Sequence, residues 1–180
     1  MESLFNLKDK NAIITGSSRG IGKAIAYRMA EHGAKVIITS RKLDACEAVA
    51  KEINDTFGEG HATSIACNIS DKEQLQNLYK KSLDFCGSIS TLVCNAAINP
   101  YFGPSNKIPD EAFEKIMKSN VQSNFWLCNE VLPDMIKMKN GSIIIISSIA
   151  GLHGSSMLGA YAISKAADSQ LARNLSLIHI

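Results

Sequence analysis

Residues 11–22 read Asn11-Ala12-Ile13-Ile14-Thr15-Gly16-Ser17-Ser18-Arg19-Gly20-Ile21-Gly22, an apolar run that stops at a glycine-rich turn. Short apolar runs bounded by glycine are typical of buried strands. Beyond the turn, apolar residues recur at helical spacing as far as Gly33, a residue type that often follows the end of a helix. The stretch therefore predicts a strand, a tight turn and a helix in direct succession.

The same alternation continues along the chain. Further strands are predicted at residues 35–39, 63–67, 89–94 and 142–147. Helices are predicted over residues 43–57, from residue 71, over residues 110–137 with an interruption at Pro133, and from about Ser155 or Gly159. Near-continuous apolar strands between amphipathic helices indicate a parallel sheet covered on both faces. We therefore predict an α/β fold, a doubly wound, Rossmann-like parallel sheet of five βα units.

The composition is that of an ordinary soluble domain. Of the 180 residues, 46% are hydrophobic and 20% are charged, and the net charge of +2 gives no drive toward nucleic acid. Five scattered cysteines without a Cys-x-x-Cys pair fit reduced thiols better than disulfides or a metal site. No apolar run reaches the ~18 residues of a membrane span, and the N-terminus lacks a secretory signal. We expect one cytoplasmic domain without metal, nucleic-acid or membrane partners.

The glycine-rich turn has the residues that a dinucleotide needs at this place in such a fold. Glycines let the backbone approach a pyrophosphate, and the free N–H groups at a helix start attract its charge. A tight turn without a ligand is the alternative. The candidate cofactor residues in the turn are Gly16, Ser18, Arg19, Gly20, Ile21 and Gly22.

The end of the second strand bears on the choice of cofactor. An Asp or Glu there would bind the adenosine ribose and repel a 2′-phosphate, but this chain has Ser40-Arg41-Lys42. A guanidinium can hold a phosphate through two hydrogen bonds, and Arg19 is expected at the same corner. Ser40 and Arg41 therefore favour NADP(H), against the alternative that Arg41 and Lys42 are solvated loop charges.

Further candidate contacts to a cofactor follow the third and fourth strands. Asn68, with Ile69 beside it, is placed to pair with adenine through its amide. Asn95 and Ala96 supply small side chains where the backbone must come close to a cofactor.

A hydroxyl, a phenol and an ammonium are expected to meet beyond the fifth strand. Tyr161 and Lys165 are four residues apart and so share one face of a helix, and Ser148 follows the apolar run of the strand. Such a set suits acid–base chemistry. The Tyr-x-x-x-Lys pair alone is a common chance match, so its context has to carry the prediction.

Together these motifs resemble those of the short-chain dehydrogenase/reductase family. The cofactor motif is matched by residues 15–22, and Cys94-Asn95-Ala96-Ala97 resembles the family's Asn-Asn-Ala-Gly with departures at Cys94 and Ala97. Asn68 replaces an Asp that is usual in the family. The positions that match the family's catalytic residues are Asn120, Ser148, Tyr161 and Lys165.

The resemblance implies hydride transfer between NADP(H) and a carbonyl or secondary alcohol. Tyr161 would be the general acid or base, and Lys165 would favour its phenolate and bind the nicotinamide ribose. Ser148 would hold the substrate oxygen, and Asn120 would hold a water of the proton relay. The family also implies a homodimer or homotetramer at full length.

Two other functions remain open from the sequence. Epimerases and dehydratases of the family also use Tyr-x-x-x-Lys, usually with longer substrate domains. A nucleotide-sensing regulator without turnover would keep the cofactor cleft, although it would be expected to lose Tyr161 or Lys165. The candidate substrate pocket does not choose among carbonyl compounds; its residues are Ile98, Asn99, Tyr101, Phe102, Leu152, His153 and Met157.

The resemblance implies two further strands and a helical lid that this sequence does not include, so we expect the C-terminal strands of the sheet to be missing. The residues Leu175–Ile180 can be encoded by CTG TCT CTT ATA CAC ATC, the end sequence of a transposon used to prepare sequencing libraries. We therefore predict a domain over residues 1–174 and a non-native tail over residues 175–180. Sequencing of the locus would test this.

Overall fold

A computed structural model describes residues 5–178, which form five strands and six α-helices. The strands are β1 (Asn11–Thr15), β2 (Lys35–Ser40), β3 (Ala62–Ala66), β4 (Thr91–Cys94) and β5 (Ser142–Ile145). The helices are α1 (Gly20–Glu31), α2 (Leu43–Phe57), α3 (Lys72–Cys86), α4 (Asp110–Met117), α5 (Ser123–Met138) and α6 (Gly159–Ile178). Each strand boundary lies within two residues of its predicted position.

All five strands run parallel in the order β3-β2-β1-β4-β5. The chain builds outward from β1 through β2 and β3, then crosses back to place β4 on the other side of β1. Ligands of doubly wound sheets bind outside the carboxyl ends of the strands at such a reversal. The predicted Rossmann-like α/β fold is confirmed, and its expected ligand-binding position lies at the carboxyl ends of β1 and β4.

Each face of the sheet packs against its own pair of helices. Ile13 and Ile14 are neighbours on β1 and point to opposite faces, and both are fully buried. Ile13 belongs to a core that includes side chains of α3 and α5, whereas Ile14 belongs to a core that includes α1 and α2. Both faces of the central strands are therefore apolar, which explains their continuous hydrophobic runs.

The fifth strand departs from the prediction of a buried strand that continues to Ser147. It ends at Ile145, and Ile144 remains 45% exposed. Within the described residues β5 is an edge strand, so one face and one side of it lack the cover that the central strands have. A cavity of about 670 Å³ lies beside it, lined by residues of α5, β5 and α6, including Leu132, Ile143 and Leu175.

The predicted interruption of the long helical region at Pro133 is wrong. Pro133 lies inside α5, and the irregularity falls earlier, in a π-helical turn over Lys118–Gln122. Proline costs a helix the hydrogen bond to the carbonyl four residues earlier, here that of Asn129. Both Pro133 and Asn129 are exposed, so that carbonyl lies on the solvent side of the helix and the helix continues.

The last helix includes part of the segment that the sequence marks as a non-native tail. Residues 175–178 continue α6, and the half-buried Leu175 packs against the core. Residues 179 and 180 lie outside the described residues, and the origin of the tail stays a prediction. Among residues 5–178, no helix is both long enough and apolar enough to cross a membrane.

Candidate active site

The glycine-rich turn leaves the start of α1 open. Gly16 and Gly20 have φ angles of +66° and +57°, a conformation that other residues rarely adopt. Arg19 occupies the N-cap position without a capping hydrogen bond from its side chain, and the first turn of α1 contains no acidic residue. Ser18 and the 64% exposed Ile21 complete the turn. The first N–H groups of α1 are therefore free to donate hydrogen bonds to an anion.

The residues that follow β4 hold the glycine-rich turn in place. A Cβ on Gly22 would lie 2.5 Å from the Gly16 carbonyl oxygen and 2.6 Å from Asn95 Nδ2. Asn95 Nδ2 donates to the carbonyl oxygens of Thr15 at 2.8 Å and Gly16 at 3.3 Å. The backbone N–H groups of Asn95 and Ala96 both donate to Thr15 Oγ1 at 3.0 Å. Asn95 and Ala96 thus hold the turn in shape, and their direct contact with a cofactor stays a prediction.

Two arginines stand near the ends of β1 and β2. Ser40 ends β2, and its hydroxyl lies 3.1 Å from Cys46 Sγ. Arg41 follows it, and both Arg41 and Arg19 are exposed. In the described part of the chain, no hydrogen bond or ion pair engages either guanidinium. Their donors are therefore available to an external anion.

Asn68 and Ile69 follow β3 at the same edge of the sheet. Asn68 Oδ1 accepts the Ser70 N–H at 3.2 Å, and the Asn68 N–H donates to Gln74 Oε1 at 2.8 Å. Ile69 is half-buried and packs against the core. The exposed Asn68 amide keeps its Nδ2 donors, whereas Ile69 serves the core, so adenine contact stays a prediction for both.

The structure brings Ser148, Tyr161 and Lys165 to neighbouring segments beyond β5. Ser148 Oγ accepts the Ala150 N–H at 3.1 Å, which leaves its own proton available to a ligand. A Cβ on Gly151 would lie 2.7 Å from the Lys165 carbonyl carbon, so the turn after Ser148 packs directly on α6. Lys165 Nζ lies 5.9 Å from the centroid of the Tyr161 ring. The turn that contains Ser148 therefore lies against the helix that contains Tyr161 and Lys165.

The Lys165 ammonium is held on two sides. Nζ donates to the Ile146 carbonyl oxygen at 2.9 Å and forms an ion pair with Asp168 Oδ2, also at 2.9 Å. The two side chains are 3% and 0% exposed. Asp168 Oδ1 accepts a further hydrogen bond from Asn124 Nδ2 at 2.9 Å. A buried ion pair needs such additional partners to offset its lost hydration, and this one has them.

Asn120 connects the loop after β4 to α6. It lies in the π-helical turn and is fully buried. Its Oδ1 accepts the Ile98 N–H at 2.8 Å, and its Nδ2 donates to the Ile98 carbonyl oxygen and to Ser164 Oγ, each at 3.0 Å. Its carbonyl oxygen accepts Asn124 Nδ2 at 2.7 Å. The geometry makes Asn120 a clamp, and the relay water assigned to it stays a prediction.

Sequence reasoning missed Asp168, Asn124 and Ser164. Asp168 is three residues beyond Lys165 and Asn124 is four beyond Asn120, so each lies on the same helix face as a predicted site residue. That spacing was the available signal. The contact between Asp168 and Asn124 joins α6 to α5 and could not be read from either helix alone.

A buried thiol, that of Cys94, lies near the ion pair. The hydrogen bond to Cys128, together with burial, raises the pKa of the Cys94 thiol well above its ordinary value. The Asp168 carboxylate raises this pKa further, whereas Lys165 lowers it. Cys94, a departure from the family motif, is therefore a neutral neighbour of Lys165.

Exposed apolar side chains border the candidate substrate pocket. The Gly103 N–H donates to the Met157 carbonyl oxygen at 2.9 Å, which joins the loop after β4 to the segment before α6. Phe102 is 69% exposed on the first of these segments. Leu152, which follows the turn after Ser148, is 70% exposed. Asn99 and His153 are exposed as well, so both apolar and polar side chains of the predicted pocket face solvent.

The chain matches the family model described as short chain dehydrogenase over residues 10–179. Among curated relatives, Dehydrogenase/reductase SDR family member 4 of Bos taurus is 37% identical over 172 residues, which cover 95% of this chain and 61% of the relative. Dehydrogenase/reductase SDR family member 2, mitochondrial, of Homo sapiens is also 37% identical, over 95% of this chain and 60% of the relative. The chain spans about three fifths of the length of these curated relatives.

Two solved structures share both fold and sequence with the chain. A 7 alpha-hydroxysteroid dehydrogenase complexed with NADH and 7-oxo glycochenodeoxycholic acid has a TM-score of 0.91 and 35% identity, covering 96% of this chain and 66% of the other. A metagenomic short-chain oxidoreductase in complex with NADP has a TM-score of 0.88 and 32% identity, covering 94% and 76%.

The fold defines a class, the Rossmann-like α/β proteins with a doubly wound parallel sheet. Within that class, the chain belongs to the short-chain dehydrogenase/reductase family.

Proposed function

We propose that the protein transfers a hydride between NADP(H) and a carbonyl or secondary alcohol. The observation that carries the proposal is the convergence of two features at one sheet edge. The open start of α1 follows β1, and Ser148, Tyr161 and Lys165 follow β5, which runs parallel to it in the same sheet. An anionic dinucleotide bound at the turn would therefore lie on the same side of the sheet as the proposed acid–base set.

The residues at the glycine turn fit the cofactor. The close approach at Gly22 and the uncapped N–H groups of α1 suit a pyrophosphate. The Lys165 ammonium has three N–H donors, of which two are donated to Ile146 and Asp168, and the third would bind the nicotinamide ribose. The bound nicotinamide would supply the hydride donor or acceptor. The protein's own residues would then have to place the carbonyl and move a proton.

Three side chains would do this work. Ser148 would donate its free proton to the substrate oxygen and so orient the carbonyl. The Tyr161 phenol would give that oxygen a proton during reduction and take it back during oxidation. The Lys165 ammonium, 5.9 Å from the Tyr161 ring, would favour the phenolate electrostatically.

The same proposal specifies NADP(H) rather than NAD(H). Arg41 and Arg19 are exposed and unpaired among the described residues, and no carboxylate ends β2. Guanidinium groups can bind a 2′-phosphate through two hydrogen bonds. Of the two similar structures, one contains NADH and the other NADP, so the support comes from these two residues.

Turnover by the protein tests the proposal. We expect NADPH oxidation with members of a panel of ketones and aldehydes, and a loss of at least about 100-fold in kcat for Tyr161→Phe. Tyr27→Phe is the matched control, because Tyr27 packs against Phe57 between α1 and α2. NADPH binding without turnover above the Tyr161→Phe variant would contradict the proposal.

That outcome would favour the second candidate, a nucleotide-sensing regulator without turnover. One observation supports this candidate: the Lys165 ammonium is already bound by Asp168 and by the Ile146 carbonyl oxygen. A regulator would bind NADPH with similar affinity in the parent and in Tyr161→Phe, and neither would consume it.

We also propose that the protein forms a homo-oligomer and works in the cytoplasm. Exposed apolar side chains on α4, α5 and α6, namely Phe113, Phe125 and Ile163, offer a surface for a second copy. The five cysteines are free thiols, which suits a reducing compartment. Light scattering and cell fractionation test the two statements.

A further inference from the structure

We infer that Asp168 is a positioning residue that holds the Lys165 ammonium at the site and keeps it charged. The inference rests on the proposed role of Lys165 beside Tyr161. Asp168 is fully buried, its Oδ2 lies 2.9 Å from Lys165 Nζ, and it stands three residues further along α6. The carboxylate and the ammonium therefore compensate each other where water does not reach.

The geometry of Asp168 is itself fixed from a second helix. Asn124 of α5 donates from Nδ2 to Asp168 Oδ1 at 2.9 Å and to the Asn120 carbonyl oxygen at 2.7 Å. Asn120 in turn bonds Ser164, the residue before Lys165. Asp168 is thus the end of a buried polar network that links α5, the π-helical turn and α6. The hydrogen bond from Asn124 to Oδ1 orients the Asp168 carboxylate so that its other oxygen, Oδ2, faces the Lys165 ammonium.

The charge that Lys165 experiences is dominated by Asp168. Besides Asp168, the titratable groups recorded near it in the described chain are Tyr161 on α6 and Cys94 at the end of β4, and Asn120 and Asn124 contribute only neutral amides. Contact with Cys128 and burial raise the pKa of Cys94, so this thiol stays neutral. The carboxylate of Asp168 is the charged partner that allows a buried ammonium to persist.

Removal of the carboxylate has a defined consequence for pH dependence. In Asp168→Asn the ammonium loses its counter-charge, so Lys165 releases its proton at lower pH. A neutral Lys165 no longer favours the Tyr161 phenolate, so Tyr161 keeps the proton that it donates up to a higher pH. For carbonyl reduction, the alkaline limb of the kcat/KM profile is therefore expected to move to higher pH.

The experiment combines an NMR titration with this pH profile. Carbon-13-labelled lysine reports the protonation of Lys165 in this chain, with its signal assigned by its loss in Lys165→Met. The expected result is that Lys165 releases its proton at a pH lower by about one to three units in Asp168→Asn than in the parent. Asp168→Glu, which retains the charge, is expected to recover most of the shift. Asp168→Ser replaces Asp168→Asn if the latter does not fold.

The matched control is Asp55→Asn. Asp55 pairs with Lys51 at 2.6 Å on the exposed face of α2, where water screens the charge, so neither the Lys165 titration nor the pH profile should move. Unchanged Lys165 titration in Asp168→Asn would overturn the inference, as would a shifted titration with an unmoved pH profile. Absence of turnover in the parent would contradict the proposed function instead, and the NMR titration would still decide the role of Asp168.

Discussion

Arg41 is the residue to which the choice of cofactor is assigned. Its guanidinium is exposed at the end of β2 and unpaired among residues 5–178, so it can bind a 2′-phosphate at little cost to the rest of the protein. We expect Arg41→Asp to raise the Kd for NADPH at least about tenfold, because a charged hydrogen bond is lost and a carboxylate repels the phosphate. The Kd for NADH should change much less. Nicotinamide fluorescence measures both.

The matched control for Arg41→Asp is Lys80→Asp. It makes the same change of charge at an exposed position in the middle of α3. An equal loss of NADPH affinity in the two variants would show that only the overall charge matters and would contradict the assignment to Arg41.

The separation of residues along the chain was enough to predict which side chains share a helix face, but not which side chains of other elements contact them. Tyr161 and Lys165 could be placed on one helix face because their separation of four residues is a property of any helix. The partner of Lys165 could not be predicted, because its burial depends on how α5 packs on α6. Resemblance to the family singled out Asn120 as a site residue, which stays a prediction, whereas its four hydrogen bonds to three segments could be seen only in the folded chain.

At the scale of elements, the junction of β1, the glycine turn and α1 is expected to tolerate the least change. A Cβ on Gly22 would meet the Gly16 carbonyl oxygen at 2.5 Å and Asn95 Nδ2 at 2.6 Å. We expect Gly22→Ala to lower the free energy of unfolding by about 1–3 kcal/mol and to weaken NADPH binding, since the turn must move to admit the methyl group. Urea unfolding and fluorescence titration measure the two effects.

Gly154→Ala provides the comparison for this substitution. No atom lies within 4 Å of a Cβ at Gly154, so its stability and affinity should match those of the parent. Equal behaviour of Gly22→Ala and Gly154→Ala would show that the turn is not packed as described.

The elements that the sequence did not predict correctly share a physical cause. Whether a strand is covered depends on its neighbours in the sheet, so the apolar run after Ser142 looked like a buried strand although Ile144 is 45% exposed. A proline inside a helix leaves the carbonyl four residues earlier without a helical hydrogen bond, and the helix can continue where that carbonyl faces solvent. For Pro133 this is the carbonyl of Asn129, which lies on the solvent side. Composition and spacing contain neither kind of information.

At the scale of the whole molecule, the buried thiol that follows β3 predicts a loss of stability in alkali. Burial raises the pKa of Cys67 from 9.0 to about 12. The folded protein therefore holds this proton at pH values where the unfolded chain releases it. The contribution is complete below about pH 9 and disappears as the pH rises toward about 12.

The difference between two variants isolates this effect from other alkaline titrations. Between about pH 7 and about pH 10.5, the parent should lose about 1–2 kcal/mol more unfolding free energy than Cys67→Ala does. Urea unfolding at both pH values gives the four numbers required. Equal losses in the two proteins would contradict the raised pKa of Cys67.

Transfer of the cofactor's hydrogen to a product tests the central claim most directly. The protein is incubated with NADPH that has deuterium at both C4 positions and with the carbonyl compound that it consumes fastest. Our account predicts deuterium at the carbinol carbon of the alcohol, and at least about 100-fold slower formation in Tyr161→Phe than in Tyr27→Phe. NADPH binding without deuterated alcohol, or an equal rate in the two variants, would contradict it.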